Sequence, residues 1–117
     1  MITGFSAALS ALHSFSEKLS VVSHNVANSA TEGFKKKRAA LQEGQNGGVS
    51  VSAQTICARG GIVSRHQDDD VDLAETSNVD IGEEIVQMNA AQRGHEANLK
   101  TLDVQNELLG TVLDIMG

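Results

Sequence analysis

Apolar residues recur at heptad spacing near the two ends of the chain, and the pattern breaks down between them. With Phe5 at position a, Leu12, Leu19 and Val26 follow at a, while Ala8, Phe15 and Val22 fall at d. Ser, His, Glu, Lys and Asn fill the positions between. The spacing predicts an amphipathic helix over residues 5–28, with a narrow stripe suited to one or two partner helices.

A second stripe begins after Thr76-Ser77-Asn78. Ser77 or Asn78 is expected to cap the helix, with Asp80, Glu83 and Glu84 placing negative charge at its positive end. From there Ile85, Gln92, Leu99, Asn106 and Leu113 fall at a, and Met88, His95, Leu102, Leu109 and Met116 at d. Gln92, His95 and Asn106 on this seam either fix register or mark where it meets solvent. At about 1.5 Å per residue, a helix over 80–115 is roughly 54 Å long and one over 5–28 roughly 36 Å. Part of the longer stripe therefore has no partner within the chain. Its cover must come from other copies or relatives, and a head-to-tail contact that does not close generates an open helical tube.

The middle reads differently. Glu43 to Gly48 (EGQNGG) is loop material; Val49, Val51 and Thr55 alternate with polar residues as in a half-exposed strand, and Ile62-Val63 is a possible return strand after Gly60-Gly61. The expected fold class is mainly α: two long antiparallel terminal helices forming a coiled-coil-like pair, with a short loop or β-hairpin insertion. The corresponding divisions are 1–34, the N-terminal helix and turn; 35–76, the middle segment; and 77–117, the C-terminal helix.

Composition narrows the function. Only 3% of the 117 residues are aromatic, so the core is aliphatic and alanine-rich. A formal charge of -6 argues against nucleic-acid binding. The single Cys57 cannot form an internal disulfide. The N-terminal MITGFSAALSALHSF lacks a basic region followed by a long apolar core, and no window approaches the roughly 18 apolar residues of a membrane span. We therefore expect neither a cleaved Sec leader nor direct membrane insertion.

Candidate chemistry fails on spacing. Asp68, Asp70 and Asp72 mimic the start of a calcium loop, but Leu73 stands where that loop needs glycine and Val79 where it needs a bidentate Glu. A solvated acidic linker is the better reading. His95-Glu96 opens like a zinc-protease motif, but Leu99 occupies the position of the second His. Phosphate loops, GxSxG elbows and CxxC pairs do not occur. No catalytic residue, cofactor, metal ligand or small-molecule substrate is expected. The block Lys35, Lys36, Lys37 and Arg38 reads as a solvated segment.

The abrupt end of the first stripe, SHNVANSATEGFKKKR, has its own signals. Asn25 and Asn28 bond readily to nearby backbone, Gly33 supplies positive φ, and Phe34 is an apolar anchor beyond the turn. The longer segment ALSALHSFSEKLSVVSHNVANSATEGFKKKR resembles the N-terminal signature of the bacterial flagellar rod and hook axial proteins, A-x-S-G-L…L…V-x-S-N-N-I-A-N-x-x-T-x-G-F-K/R. SNVDIGEEIVQMNAAQRGHEANLKTLDVQNELLGTVLDI is similar to the same family's ending, S-N-V-D…E-M-V-x-M…A-Q-R-x-Y-E-A-N…D-E-M-L. Departures are Ala11 for Gly, His24 for Asn, His95 for Tyr and Asn106 for Asp. The short middle looks more like a proximal-rod component than a hook or distal-rod protein.

The resemblance implies terminal helices that pair as an inner coiled-coil domain lining a hollow rod, and subunits that leave through the flagellar export apparatus without a cleaved signal. The expected partners are other copies, homologous axial proteins and that apparatus. Expected helix-pairing and subunit-contact residues are Phe5, Leu12, Phe15, Leu19, Val22, Val26, Ile85, Met88, Leu99, Leu102, Leu109 and Leu113, with Leu12, Leu19, Leu99, Leu102 and Leu109 foremost. The N-terminal helix is expected to order fully only on assembly, because nucleation is costly and helices draw most stability from packing. The rival function is a helical adaptor or export chaperone that uses the same stripes but never polymerises. A metal-dependent hydrolase built on Asp68 to Asp72 and the histidines is a third, which tight divalent-ion binding would revive.

Overall fold

A computed structural model describes residues 2–117. Two helices, α1 (Ile2–Ala27) and α2 (Ile81–Met116), enclose four strands: β1 (Lys37–Glu43), β2 (Val49–Thr55), β3 (Ile62–Gln67) and β4 (Asp70–Glu75).

The helices run antiparallel along one another. Asn25 near the end of α1 bonds to Glu84 near the start of α2, Phe15 lies against Gly94, and Gly4 lies beside Gln105. No proline interrupts either helix. α1 stops at Ala27, where the Asn28 backbone and side-chain amides both donate to the His24 carbonyl, at 3.2 and 2.9 Å. The chain turns through Gly33 at φ 70°, and Phe34 then meets the His24 ring edge-on with centroids 5.6 Å apart.

The expectation of a mainly α chain with one short insertion is corrected here. The middle holds two antiparallel hairpins in two separate sheets, β1–β2 and β3–β4. Two misread segments account for the difference. Lys35, Lys36 and Arg38 are not a solvated block: they form ion pairs with Glu75, Glu83 and Glu84, and the chain enters β1 at Lys37. The acidic run is not a linker either. Asp68 and Asp69 both adopt positive φ, 47° and 65°, as the central residues of a two-residue primed turn, and Asp70 and Asp72 belong to β4. Strand partners differ accordingly: β2 pairs with β1, from Lys37↔Thr55 to Glu43↔Val49, and Ile62-Val63 pairs with β4 instead of returning to β2.

The first hairpin folds back along α1. Ser14 donates to the Val49 carbonyl and Ser10 accepts from the Val49 amide, each at 3.0 Å, while Ala39 is buried. The second hairpin is tethered at its base, where the Thr76 and Gly33 amides donate to the Gly61 and Glu75 carbonyls and Arg65 pairs with Glu32. Every residue from Gly61 to Leu73 is exposed.

The N-cap of α2 is Asp80, whose side chain accepts from the Glu83 amide at 3.2 Å, where Ser77 or Asn78 was expected. The core is thin: Ala8, Ala11, Val22, Ala39 and Ala91 are its buried apolar residues among those described. A radius of gyration of 21.0 Å compares with about 13 Å for a compact chain of this length. The accessible surface of 8065 Å² exceeds the roughly 6,100 Å² of a compact 12.3 kDa protein.

Candidate assembly surface

Three segments distant in sequence meet at one end of the helix pair. The Asn25 side chain accepts from the Lys37 amide (2.9 Å) and donates to the Lys37 carbonyl (2.7 Å), so it imitates a neighbouring strand at the start of β1. The same amide nitrogen donates to Glu84 Oε2 at 3.0 Å. Asn25 and Glu84 are fully buried. Glu84 Oε1 lacks a hydrogen bond and lies 3.7 Å from the Arg38 guanidinium, which compensates its charge.

Asn78 performs the matching task on the other strand. It accepts from the Lys36 amide at 2.7 Å and donates to the carbonyls of Ile56 and Ala58 at 2.8 and 2.9 Å. These bonds fix where both ends of the first hairpin join the helices, which is why Asn78 is not spent on capping.

The surrounding carboxylates are tuned by their partners. A hydrogen bond from Lys36 holds the Glu83 carboxyl below its ordinary value of 4.5, with Arg38 assisting. A hydrogen bond from Lys35 and another from the Gly60 amide do the same for Glu75.

Along the pair, α2 turns one particular face inward. Its buried or half-buried positions, after Glu84, are Gln87, Met88, Ala91, Gly94, His95, Asn98, Leu102 and Gln105. The d residues Met88, His95 and Leu102 therefore lie on this face beside a row of small or polar residues. The a residues Ile85, Gln92 and Leu99 are exposed. Close approach explains the choice: a Cβ on Gly94 would stand 2.4 Å from the Phe15 ring, so the helices meet where α2 carries its smallest residues. On α1, Val22 is buried, Leu12, Phe15, Leu19 and Val26 are half-buried, and Phe5 is exposed. His95 joins Leu9, Leu12, His13 and Ser16 around a shallow groove. In the turn, Asn28 and Phe34 are half-buried and Gly33 is exposed.

Beyond Gln105 the pairing ends because α1 has run out. Residues 106–116 continue the helix for about 16 Å with every position exposed. Leu109, Val112 and Met116 prolong the inward face at the same three-and-four spacing, and Leu108, Leu113 and Ile115 cover other sides. The overhang thus carries a broad apolar arc, with Glu107, Thr111 and Asp114 on its opposite side; such an arc is ordinarily buried, yet Ile115 and Met116 are 80% exposed.

Two family models match the chain, and together they span both helices. One, "Flagella basal body rod protein", covers residues 5–35; the other, "Flagellar basal body rod FlgEFG protein C-terminal", covers residues 73–115. The chain belongs to the flagellar basal-body rod family. Curated proteins yield no match. The role of this rod-family chain is structural, in the flagellar basal body.

Asn25 lies in the first matched segment of the rod protein, and Asn78 and Glu84 in the second, so the junction ties the two together. Sequence reasoning missed the junction's Glu84, Arg38 and Asn78. It also missed Gly94, although a glycine inside a helical pattern was a usable sign of close packing. Glu84 gave no comparable sign, since a carboxylate in a first helical turn ordinarily faces water.

Proposed function

We propose that the chain is a subunit of the flagellar rod that assembles, through its terminal helices, side by side with other copies and homologous axial proteins into a hollow helical tube. The tube transmits torque in motility. The regions 1–34 and 77–117 form the assembly core, and 35–76 is the outer segment, short as suits a proximal-rod component. Subunits reach the growing tip through the flagellar export apparatus without a cleaved signal.

One observation carries this reading: the α2 overhang continues the inward face with Leu109, Val112 and Met116 and leaves them bare. Burying each such side chain contributes about 1.5–3 kcal/mol before entropy is subtracted. The surplus of accessible surface, about 2,000 Å² over a compact chain, exceeds the roughly 800 Å² that one partner contributes to a standard interface and leaves room for more than one contact. Family membership supplies the kind of partner.

The test is Leu109→Asp combined with Val112→Asp. The helix pair lies N-terminal to both sites, so the variant keeps the thermal stability of the parent. Cells carrying it lose motility, and their purified basal bodies lack a complete rod. Normal incorporation into basal bodies would sink the proposal, and a tagged protein found in the cytosol alone would favour an adaptor or chaperone.

A further inference from the structure

We propose that the β3–β4 hairpin docks, apolar face down, on the outward stripe of α2 in a second copy. The contact rests on the assembly reading above and names one of its interfaces.

The hairpin register puts Ile62, Ser64 and His66 on one face with Val71, Leu73 and Glu75. Ile62, Val71 and Leu73 are 65%, 55% and 67% exposed. A lone two-stranded hairpin is marginal in water, and three or more strands or a packed helix are what stabilise one. Among the described residues this hairpin packs on nothing beyond its base, so a helix from outside supplies the missing layer.

Charge selects which helix surface. Arg65 is engaged by Glu32, and Glu75 by Lys35, which leaves Asp68, Asp69, Asp70 and Asp72 without an ion pair among the described residues. The apolar overhang of a second copy carries Glu107 and Asp114 and repels such a tip. Lys36 and Arg38 are engaged by Glu83 and Glu84 within the chain. Arg93 and Lys100 form no ion pair among the described residues, are both exposed, and lie one heptad apart on one face of α2.

Val86, Ala97 and Val104 run along one side of these two cations, while Glu96 and Asp103, each three residues past a cation, border the other side toward Ile85 and Leu99. Val86 is 65% exposed and Val104 43%. Lengths agree as well. Ile62 to the turn at Asp68 spans about 20 Å of strand, and Val104 back to Arg93 about 17 Å of helix. Ile62 then covers Val104 and Leu73 covers Ala97, while the aspartate tip reaches Arg93.

Disulfide trapping tests the contact. In a Cys57→Ser background, Leu73→Cys with Ala97→Cys gives intermolecular dimers and higher species on mild oxidation, and Leu73→Cys with Leu113→Cys gives far fewer. Asp68→Asn with Asp69→Gly removes both tip charges while installing the Asn-Gly pair that this turn favours, so the hairpin stays folded. That change lowers the cross-linked yield of the first pair about two- to fivefold. Sedimentation of each sample separates the two readings. Assemblies that form without the Leu73–Ala97 cross-link, or with equal yield after the tip is neutralised, overturn the hairpin contact alone. A chain that stays monomeric at every concentration overturns both.

Discussion

The two parts of α2 use opposite chemistries. From Ile81 to Gln105 the helix lies along α1 and turns inward Glu84, Ala91, Gly94, Asn98 and Gln105 beside its d residues. From Asn106 to Met116 it has no companion among the described residues and carries a broad apolar arc, with Glu107, Thr111 and Asp114 on the other side. The greasiest segment is thus the bare one. The pair is closed by the approach of Phe15 to Gly94, by a buried polar junction and by partly covered apolar residues such as Leu12, Leu19, Met88 and Leu102, whereas the apolar residues of the overhang have no cover among the described residues. A long apolar side chain would hold the two helices apart at Phe15, whereas the same residue in the overhang meets no such limit.

That contrast is open to direct attack. The largest effect on the folded chain comes from Asn25→Ala, which strands the Lys37 amide and carbonyl and one oxygen of the buried Glu84. A loss of about 2–5 kcal/mol is expected from unsatisfied buried polar groups, read as a lower urea midpoint with the first strand and the end of α1 losing exchange protection together. An unchanged midpoint would mean that the junction is ornamental.

Alanine at two glycines gives the sharpest version of the comparison. Gly94→Ala places a Cβ 2.4 Å from the Phe15 ring and lowers stability by about 1–2 kcal/mol, despite a helix-propensity gain near 1 kcal/mol. Gly110→Ala in the overhang meets nothing within 4 Å and raises stability by about 0.5–1 kcal/mol. Opposite signs in the thermal midpoint are the expected result, and equal signs would dissolve the distinction between the two halves.

The smallest effect is that of pH. Glu75 and Glu83 both have carboxyls held below 4.5 by lysine partners, so their contribution is complete above that value and disappears as pH falls through their lower folded values. Acidification below about pH 4.5 therefore loosens the base of the second hairpin and the first turn of α2. Exchange of the Gly60 amide, which donates to Glu75, and of the Glu83 amide in the first turn of α2, measured down a pH series, reads this. Both side chains are well solvated, so the change is local and leaves the helix pair intact.

The sequence by itself determined the two helices, their approximate ends and their unequal lengths, because 3.6-residue periodicity, cap residues and the absence of proline act locally. It also carried the two terminal signatures that mark the rod family. Only the tertiary structure decided which face of α2 closes on α1, since the heptad marks Ile85 and Leu99 as prominently as Met88 and Leu102, and the approach of Phe15 to Gly94 settles the choice. It likewise turned Lys35, Lys36 and Arg38 from an apparent solvated run into ion-paired residues at the root of the first hairpin, and Asp68 to Asp72 from an apparent linker into the turn and strand of the second, where they remain exposed. Charges read as solvated when their partners lie 40 or more residues away, as Lys35 and Glu75 do. The partners of a buried or bridging charge are fixed by the path of the whole chain, and no local pattern records them.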